Sequence, residues 1–246
     1  MSVSGERMEW ARKLIVDSTL FFAPPSFFND PLDCRIPPTF DGSALEIESY
    51  WRRSAQESGQ RAREYKQRVR EMVRLCKTPA GRTQLTGRFF SALNQHGIAC
   101  FSMDPANMLM WSYYARGHSG IVVRFNMSLD YVVLINRKHF FLDVNYTDDF
   151  PTVPYYEEDS VEAKRKILGT KATAWRHEQE WRIVLVGKTG DFRLPRGMVD
   201  GVILGLRTPD DVEGKVRDWI REANRPIDLM RVRHRERSFT LEVGPV

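Results

Sequence analysis

Cysteine is scarce in this chain: Cys34, Cys76 and Cys100 are odd in number, far apart and form no Cys-x-x-Cys pair. That argues against a disulfide framework and a cysteine zinc site, and leaves three reduced, partly buried thiols as the expectation. Long apolar runs are missing too. No window approaches the roughly 18 consecutive apolar residues of a membrane-spanning helix. The opening MSVSGERMEWARK has no apolar core of the kind a secretory leader needs. No membrane partner and a cytoplasmic location are therefore expected. Internal repeats are absent, as are the Walker, Gly-x-Gly-x-x-Gly, His-Glu-x-x-His and Gly-x-Ser-x-Gly motifs. Their lack removes the common nucleotide-loop, zinc-protease and serine-hydrolase readings.

What is present is an ordinary globular composition. The 246 residues are 42% hydrophobic and 28% charged, enough to bury a core in one large domain or two small ones. The net charge of +5 permits an acidic partner such as nucleic acid or a phosphorylated cofactor without requiring one.

The richest stretch is Lys171 to Val186, KATAWRHEQEWRIVLV. Read as a strand from about Glu178, its side chains alternate between two faces. Gln179, Trp181, Ile183 and Leu185 share one; Glu178, Glu180, Arg182, Val184 and Val186 share the other. Two carboxylates and a guanidinium then sit together. Such a trio can divide into a proton-carrying carboxyl and a carboxylate held ionised by the arginine, as acid/base or cation-stabilising sites do. An edge strand whose exposed charges pair across to a neighbour accounts for the same residues.

Earlier in the chain, Glu6 to Ser18 reads as a short amphipathic helix on Trp10, Ala11, Leu14 and Ile15, and Thr19 to Ala23 as a buried strand ended by Pro24 and Pro25. In the SFFNDPLD segment that follows, Asn29-Asp30-Pro31 is a turn signal. Asp30 and Asp33 are turn-formers or site carboxylates. From Ser43 to Thr78 a polar helix is predicted, with Tyr65, Val69, Met72, Val73 and Cys76 on its apolar side. Arg61, Arg63, Lys66, Arg68, Arg70 and Arg74 occupy the other side, a solvated face or a partner surface. A break at Pro79 and Gly81 and a second helix complete a helical insertion at about 43–96.

Gly97 to Ser102 (GIACFS) reads as a strand. Asp104 as N-cap and Pro105 at the first helical position then open a helix through MLMWSYYARGHSG. So much aromatic surface beside His118 means a pocket that stacks a planar ring, or a helix buried against a sheet. A hairpin is expected around Asn136-Arg137-Lys138, a loop over Asp148 to Glu158, a helix over Val161 to Thr173, a strand at GVILG (201–205) and a last helix from Thr208. Arg231, Arg233, Arg235 and Arg237 alternate on a strand face, either facing phosphate or protecting an edge by charge. The expected fold is a single α+β domain over 1–246, with a mixed or largely antiparallel sheet, flanking helices and the insertion.

Four spaced motifs now come together. FNDPLD (28–33), CFS (100–102), MWSYYA (110–115) with His118 and Gly120-Ile121, and Trp175-x-x-Glu178-x-Glu180-Trp181-Arg182, followed by Gly205, stand in this order. The chain resembles the bacterial domain-of-unknown-function 2971 family over about Leu20 to Gly205. Members of that family occur in bacteria and phages, some near mobile-element defence genes, so the resemblance implies a defence or toxin setting and an antitoxin as a partner. Members usually open with a strand bearing a tyrosine, lysine, tyrosine and arginine cluster, whereas this chain begins almost at the first helix.

A second resemblance bears on mechanism. Glu178-Gln179-Glu180 before WRIVLV is similar to the Glu-x-Glu entry of ADP-ribosyltransferases, and Cys100-Phe101-Ser102 to their serine-bearing strand. That resemblance implies NAD as substrate, whose nicotinamide–ribose bond breaks with oxocarbenium character, and a protein or nucleic acid as acceptor. Glu180 would be the catalytic carboxylate, Glu178 would help the acceptor lose a proton, and Ser102 would support Glu180. Trp111, Tyr113 or Tyr114 would stack on nicotinamide, and His118 or Arg182 would meet a phosphate or ribose. Asn29, Asp30 and Lys171 complete the expected binding residues. Two other classes fit the same residues. Asp30, Asp33, Glu178, Glu180 and Lys171 could hold a divalent metal in a defence nuclease. The aromatic segment could instead bind a nucleotide or protein without turnover.

Overall fold

The computed structural model describes residues 6–57, 62–128, 131, 139–156 and 160–246. They form an α+β fold that separates into two compact units. The first comprises Met1–Ala23, Gly97–Asp143 and Ala174–Val246; the second comprises Pro24–His96 and Val144–Thr173.

The first unit opens with helix α1 (Glu6–Asp17) and strand β1 (Thr19–Phe22). In α1 the spacing of Ala11, Leu14 and Ile15 sets one stripe, and all three are at most 2% exposed. The other strands are β2 (Gly97–Ser102), β3 (Ile121–Phe125), β4 (His139–Asp143), β7 (Glu180–Leu185), β8 (Gly190–Arg193), β9 (Val199–Leu204), β10 (Asp228–His234) and β11 (Leu241–Pro245). They assemble as β11-β10-β9-β3, β2-β7-β4 and β1-β8, with β9 and β10 parallel and the other pairs antiparallel. The central strands β7 and β9 have near-continuous buried runs, Ile183-Val184-Leu185 and Val202-Ile203-Leu204, as strands covered on both faces require. Helix α7 (Asp210–Ala223) has Asp210, Asp211 and Glu213 in its first turn, where the helix dipole favours them. It buries Val212, Val216 and Trp219 against Ala11, Ile15, Ile121 and Val202. Each such apolar side chain contributes about 1.5–3 kcal/mol on burial.

The second unit holds helices α2 (Ala44–Glu57), α3 (Ala62–Cys76) and α4 (Pro79–Leu93), all within the stretch expected to be helical. Thr78 caps α4 by accepting the Gly81 N–H at 3.1 Å, and Pro79 supplies a first-turn position that needs no donor. On α3, Val69, Met72 and Cys76 are buried while Lys66, Arg70 and Arg74 face solvent. Ile47, Met72, Cys76, Leu85 and Tyr156 form the core. Strand β5 (Asn145–Thr147) runs parallel to β6 (Thr170–Ala172), joined through helix α6 (Ser160–Leu168).

Three local expectations are corrected. Both charged strands are interior: β7 lies between β2 and β4, and β10 between β9 and β11, so neither guards an edge. The strand in the Glu178 region begins at Glu180, because Thr173–Glu178 is a 3-10 turn and Gln179 has a left-handed φ of 44°. Asp104 does not cap the aromatic helix. Helix α5 (Met108–Tyr114) starts later, capped by Asn107, whose side-chain oxygen accepts the Leu109 and Met110 N–H groups at 3.0 and 3.1 Å. Asp104 closes its own turn by accepting the Ala106 N–H. Residues 132–138 of the expected hairpin, its turn included, lie outside the described residues.

Candidate functional site

In the first unit the site is built on the β2–β7 ladder. Antiparallel pairing sets Ser102 opposite Glu180 and Cys100 opposite Arg182. Directly opposed residues share a sheet face, so these four side chains lie on one face. Phe101 and Trp181 lie on the other, their rings stacked with centroids 4.6 Å apart. Arg182 is fully buried and grips Glu180 with two bonds, Nε to Oε1 at 2.6 Å and Nη2 to Oε2 at 3.2 Å. This side-on fork fixes the carboxylate plane.

Glu178 is not on the strand face, yet it is 3% exposed and accepts the Tyr114 hydroxyl at 2.7 Å. Arg182 thus donates to Glu180, and Tyr114 donates to Glu178. Glu178 ends the 3-10 turn, and Gln179, with its left-handed φ, stands between it and the start of β7. Asn107 steadies that turn by donating Nδ2 to the His177 carbonyl at 2.5 Å.

The aromatic segment divides by exposure. Trp111 is 1% exposed, packs with Ala115, Ile203 and Val232, and donates its indole N–H to the Pro105 carbonyl at 2.8 Å. It is a core residue here, not an open stacking surface. Tyr113, at 62% exposed, and Tyr114, at 39%, are the rings this helix presents to solvent.

His118 has a φ of 69°; its ring stacks over Trp111 and its Nε2 lies 3.2 Å from the Ser112 hydroxyl. Burial first, then the neighbouring Arg207 charge, push its pKa down. The His118 backbone is locked to the loop after β9. Its carbonyl accepts the Arg207 N–H at 2.9 Å, and Thr208 bridges Gly120 and Gly205 through its hydroxyl. A Cβ at Gly205 would stand 2.2 Å from the His118 carbonyl oxygen, which explains the glycine closing the motif set.

In the second unit, Lys171 and Asp33 form a buried ion pair at 3.7 Å. Asp30 acts as a turn-former: its side chain accepts the Leu32 N–H at 2.9 Å. Asp30, Asp33 and Lys171 line a cleft of about 240 Å³ with Asp148, Asp149 and Phe150. Asn29 is exposed beside it in sequence. Among the described residues, no group of three or more His, Cys, Asp or Glu side chains is arranged to hold a metal ion. No described helix is long and apolar enough to cross a membrane. Cys34 and Cys76 are buried, Cys100 is exposed, and none of the three is in a disulfide.

Sequence reasoning missed Asn107 as the cap, because Asp104-Pro105 is the stronger local signal. It also missed Thr208 as the bridge between loops, since no local pattern marks a long-range hydroxyl bond.

Residues 110–183 match the model of a family described as "Protein of unknown function (DUF2971)". This segment is similar to the DUF2971 family. The match runs from Met110 through the helix of Trp111, Tyr113 and Tyr114 to Ile183 in β7, and so takes in His118, Lys171, Glu178, Glu180 and Arg182. Neither curated proteins nor solved structures give a match. The DUF2971 description assigns no activity, so the site must be read from its geometry.

Proposed function

We propose that this chain acts on NAD as an ADP-ribosyltransferase-like enzyme, breaking the bond between nicotinamide and ribose. The observation that carries this reading is the register of β2 and β7, which sets Ser102 across from a Glu180 already oriented by the Arg182 fork. A fixed carboxylate stabilises an oxocarbenium-like ribose because it need not reorganise as positive charge develops. Ser102 is its polar neighbour on that face. Glu178, tied to Tyr114, is a separate carboxylate suited to drawing a proton from an acceptor hydroxyl or amine. Tyr113 and Tyr114 supply the exposed rings for nicotinamide, a role the buried Trp111 does not offer. A protein or nucleic acid is the acceptor class, and a toxin role in phage defence with a cognate antitoxin is the setting proposed with it.

One observation favours a second reading. The side chains of Glu180 and Arg182 are 3% and 0% exposed, as in a purely structural ion pair. Under that reading the unit binds a nucleotide or protein through its exposed tyrosines without turnover.

Calorimetric titration of the purified chain with NAD tests the binding half of the proposal. The expected result is saturable binding, weakened about three- to tenfold in Tyr113→Ala through loss of a stacking face. No binding at millimolar NAD would overturn the NAD reading, and binding unchanged in Tyr113→Ala would remove this tyrosine from it.

A further inference from the structure

A different part of the first unit holds charge that its own structure leaves unanswered. Where α1 ends, α7 ends and β8 meets β1, a pocket of about 190 Å³ is lined by Arg193, Arg196 and Arg225 together with Asp17, Ser18 and Glu222. These residues come from elements far apart in sequence. The β1–β8 register pairs Thr19 with Arg193, and the Leu194 N–H bonds the Ser18 carbonyl at 2.8 Å, so backbone pairing fixes the pocket's floor.

Arg225 is the informative side chain. Its Nη2 donates to the Ser18 hydroxyl at 3.1 Å, while Nε and Nη1 are buried and have no hydrogen-bond partner. Buried guanidinium N–H groups are costly when unmade, and native proteins rarely leave two on one side chain. The usual reason for arginine at helix ends is to meet the last carbonyl groups, but Nε and Nη1 meet none here. The carboxylates do not answer the charge either. Glu222 is engaged by Arg12, which leaves Asp17 against three guanidinium groups. Burial first, then repulsion from Arg196, lower the Arg225 pKa, the direction expected of a cation without a matching anion.

We propose that Arg193, Arg196 and Arg225 form a binding site for a phosphate dianion, free or as the end of a small phosphomonoester. Three guanidinium groups converge on this one pocket, Arg225 from its wall and the more exposed Arg193 and Arg196 from its rim, where they can close over the oxygens of a tetrahedral anion. The volume accommodates one tetrahedral anion with a short organic stem. The site is independent of the ribosyl-transfer reading, because none of its residues belongs to that constellation.

Calorimetric titration of the full chain with inorganic phosphate, and separately with glycerol 3-phosphate, at constant ionic strength and neutral pH tests this. The wild type is expected to bind at one saturable site, and the tighter of the two probes identifies the source of the anion. Arg196→Gln, on the exposed rim, should weaken binding roughly tenfold without moving the melting temperature of the ligand-free protein. Arg225→Gln should abolish binding; if that variant does not fold, Arg193→Gln takes its place and should weaken binding as Arg196→Gln does. Absence of saturable binding by the wild type, or an affinity unchanged in the rim variants, overturns the proposal.

Discussion

Arg182 has no access to solvent, and both oxygens of Glu180 hold it, so neither charge of the pair tolerates losing the other. Arg182→Met removes both bonds of the fork from the buried Glu180 carboxylate and should cost about 3–5 kcal/mol, read as a lower urea midpoint with an unchanged slope. Glu180→Gln keeps an acceptor for the Arg182 Nε and should cost less, about 1–3 kcal/mol; equal losses would contradict the fork as the source of stability. His96 gives the pH prediction. Its Nδ1 lies 3.2 Å from the Ala92 carbonyl and its Nε2 is buried without a partner. Burial first, then Lys164, lower its pKa from 6.5. The unfolded chain therefore binds a proton that the folded chain resists, so this contribution to stability is intact above about pH 6.5 and declines as pH falls below it. His96→Asn should flatten thermal stability between pH 7 and 5, whereas an unchanged slope would show that His96 is not the group responsible. At this scale the sequence displayed which residues carry charge and aromatic rings, but not their partners. Nothing local shows that Tyr114 reaches Glu178, 64 residues on, or that Trp111 turns inward while Tyr113 turns out.

Among the elements, the stretches with a clear period were legible. The stripe of α1, the apolar strand β9 and the stripe of α7 on Val212, Val216 and Trp219 fall where the spacing put them. The failures have local causes. A left-handed Gln179 breaks the alternation that would have carried the strand back to Glu178, and glutamine is not among the residue types that favour a positive φ. An edge was one of two readings for each charged strand, because exposed charge suggests solvent, yet β10 has neighbours on both sides and Arg231 is paired with Glu213. The loop carrying His118 makes its own prediction. Gly205→Ala drives a methyl group to 2.2 Å from the His118 carbonyl oxygen and should force the two loops apart. A loss of about 3 kcal/mol or failure to accumulate as soluble protein is expected. A melting temperature equal to wild type would mean the contact relaxes freely.

At the scale of the whole molecule, composition and pattern sufficed for the α+β class, since runs of alternating and helical periodicity both occur along the chain. Two compact units were less visible. The second unit draws on two separated stretches, Pro24–His96 and Val144–Thr173, and no linker composition marks the points where the chain leaves and returns. Motif order was the most specific signal, and the DUF2971 match over residues 110–183 covers the stretch that supplies Glu178, Glu180, Arg182, Tyr113 and Tyr114. The account stands on those residues acting together on one substrate. Nicotinamide release from NAD by the purified chain and by Glu180→Gln, with folding of both checked by circular dichroism, tests it most directly. The account predicts release by the wild type and a fall of at least about a hundredfold in the folded variant. No release by the wild type, or equal release by both proteins, would contradict it.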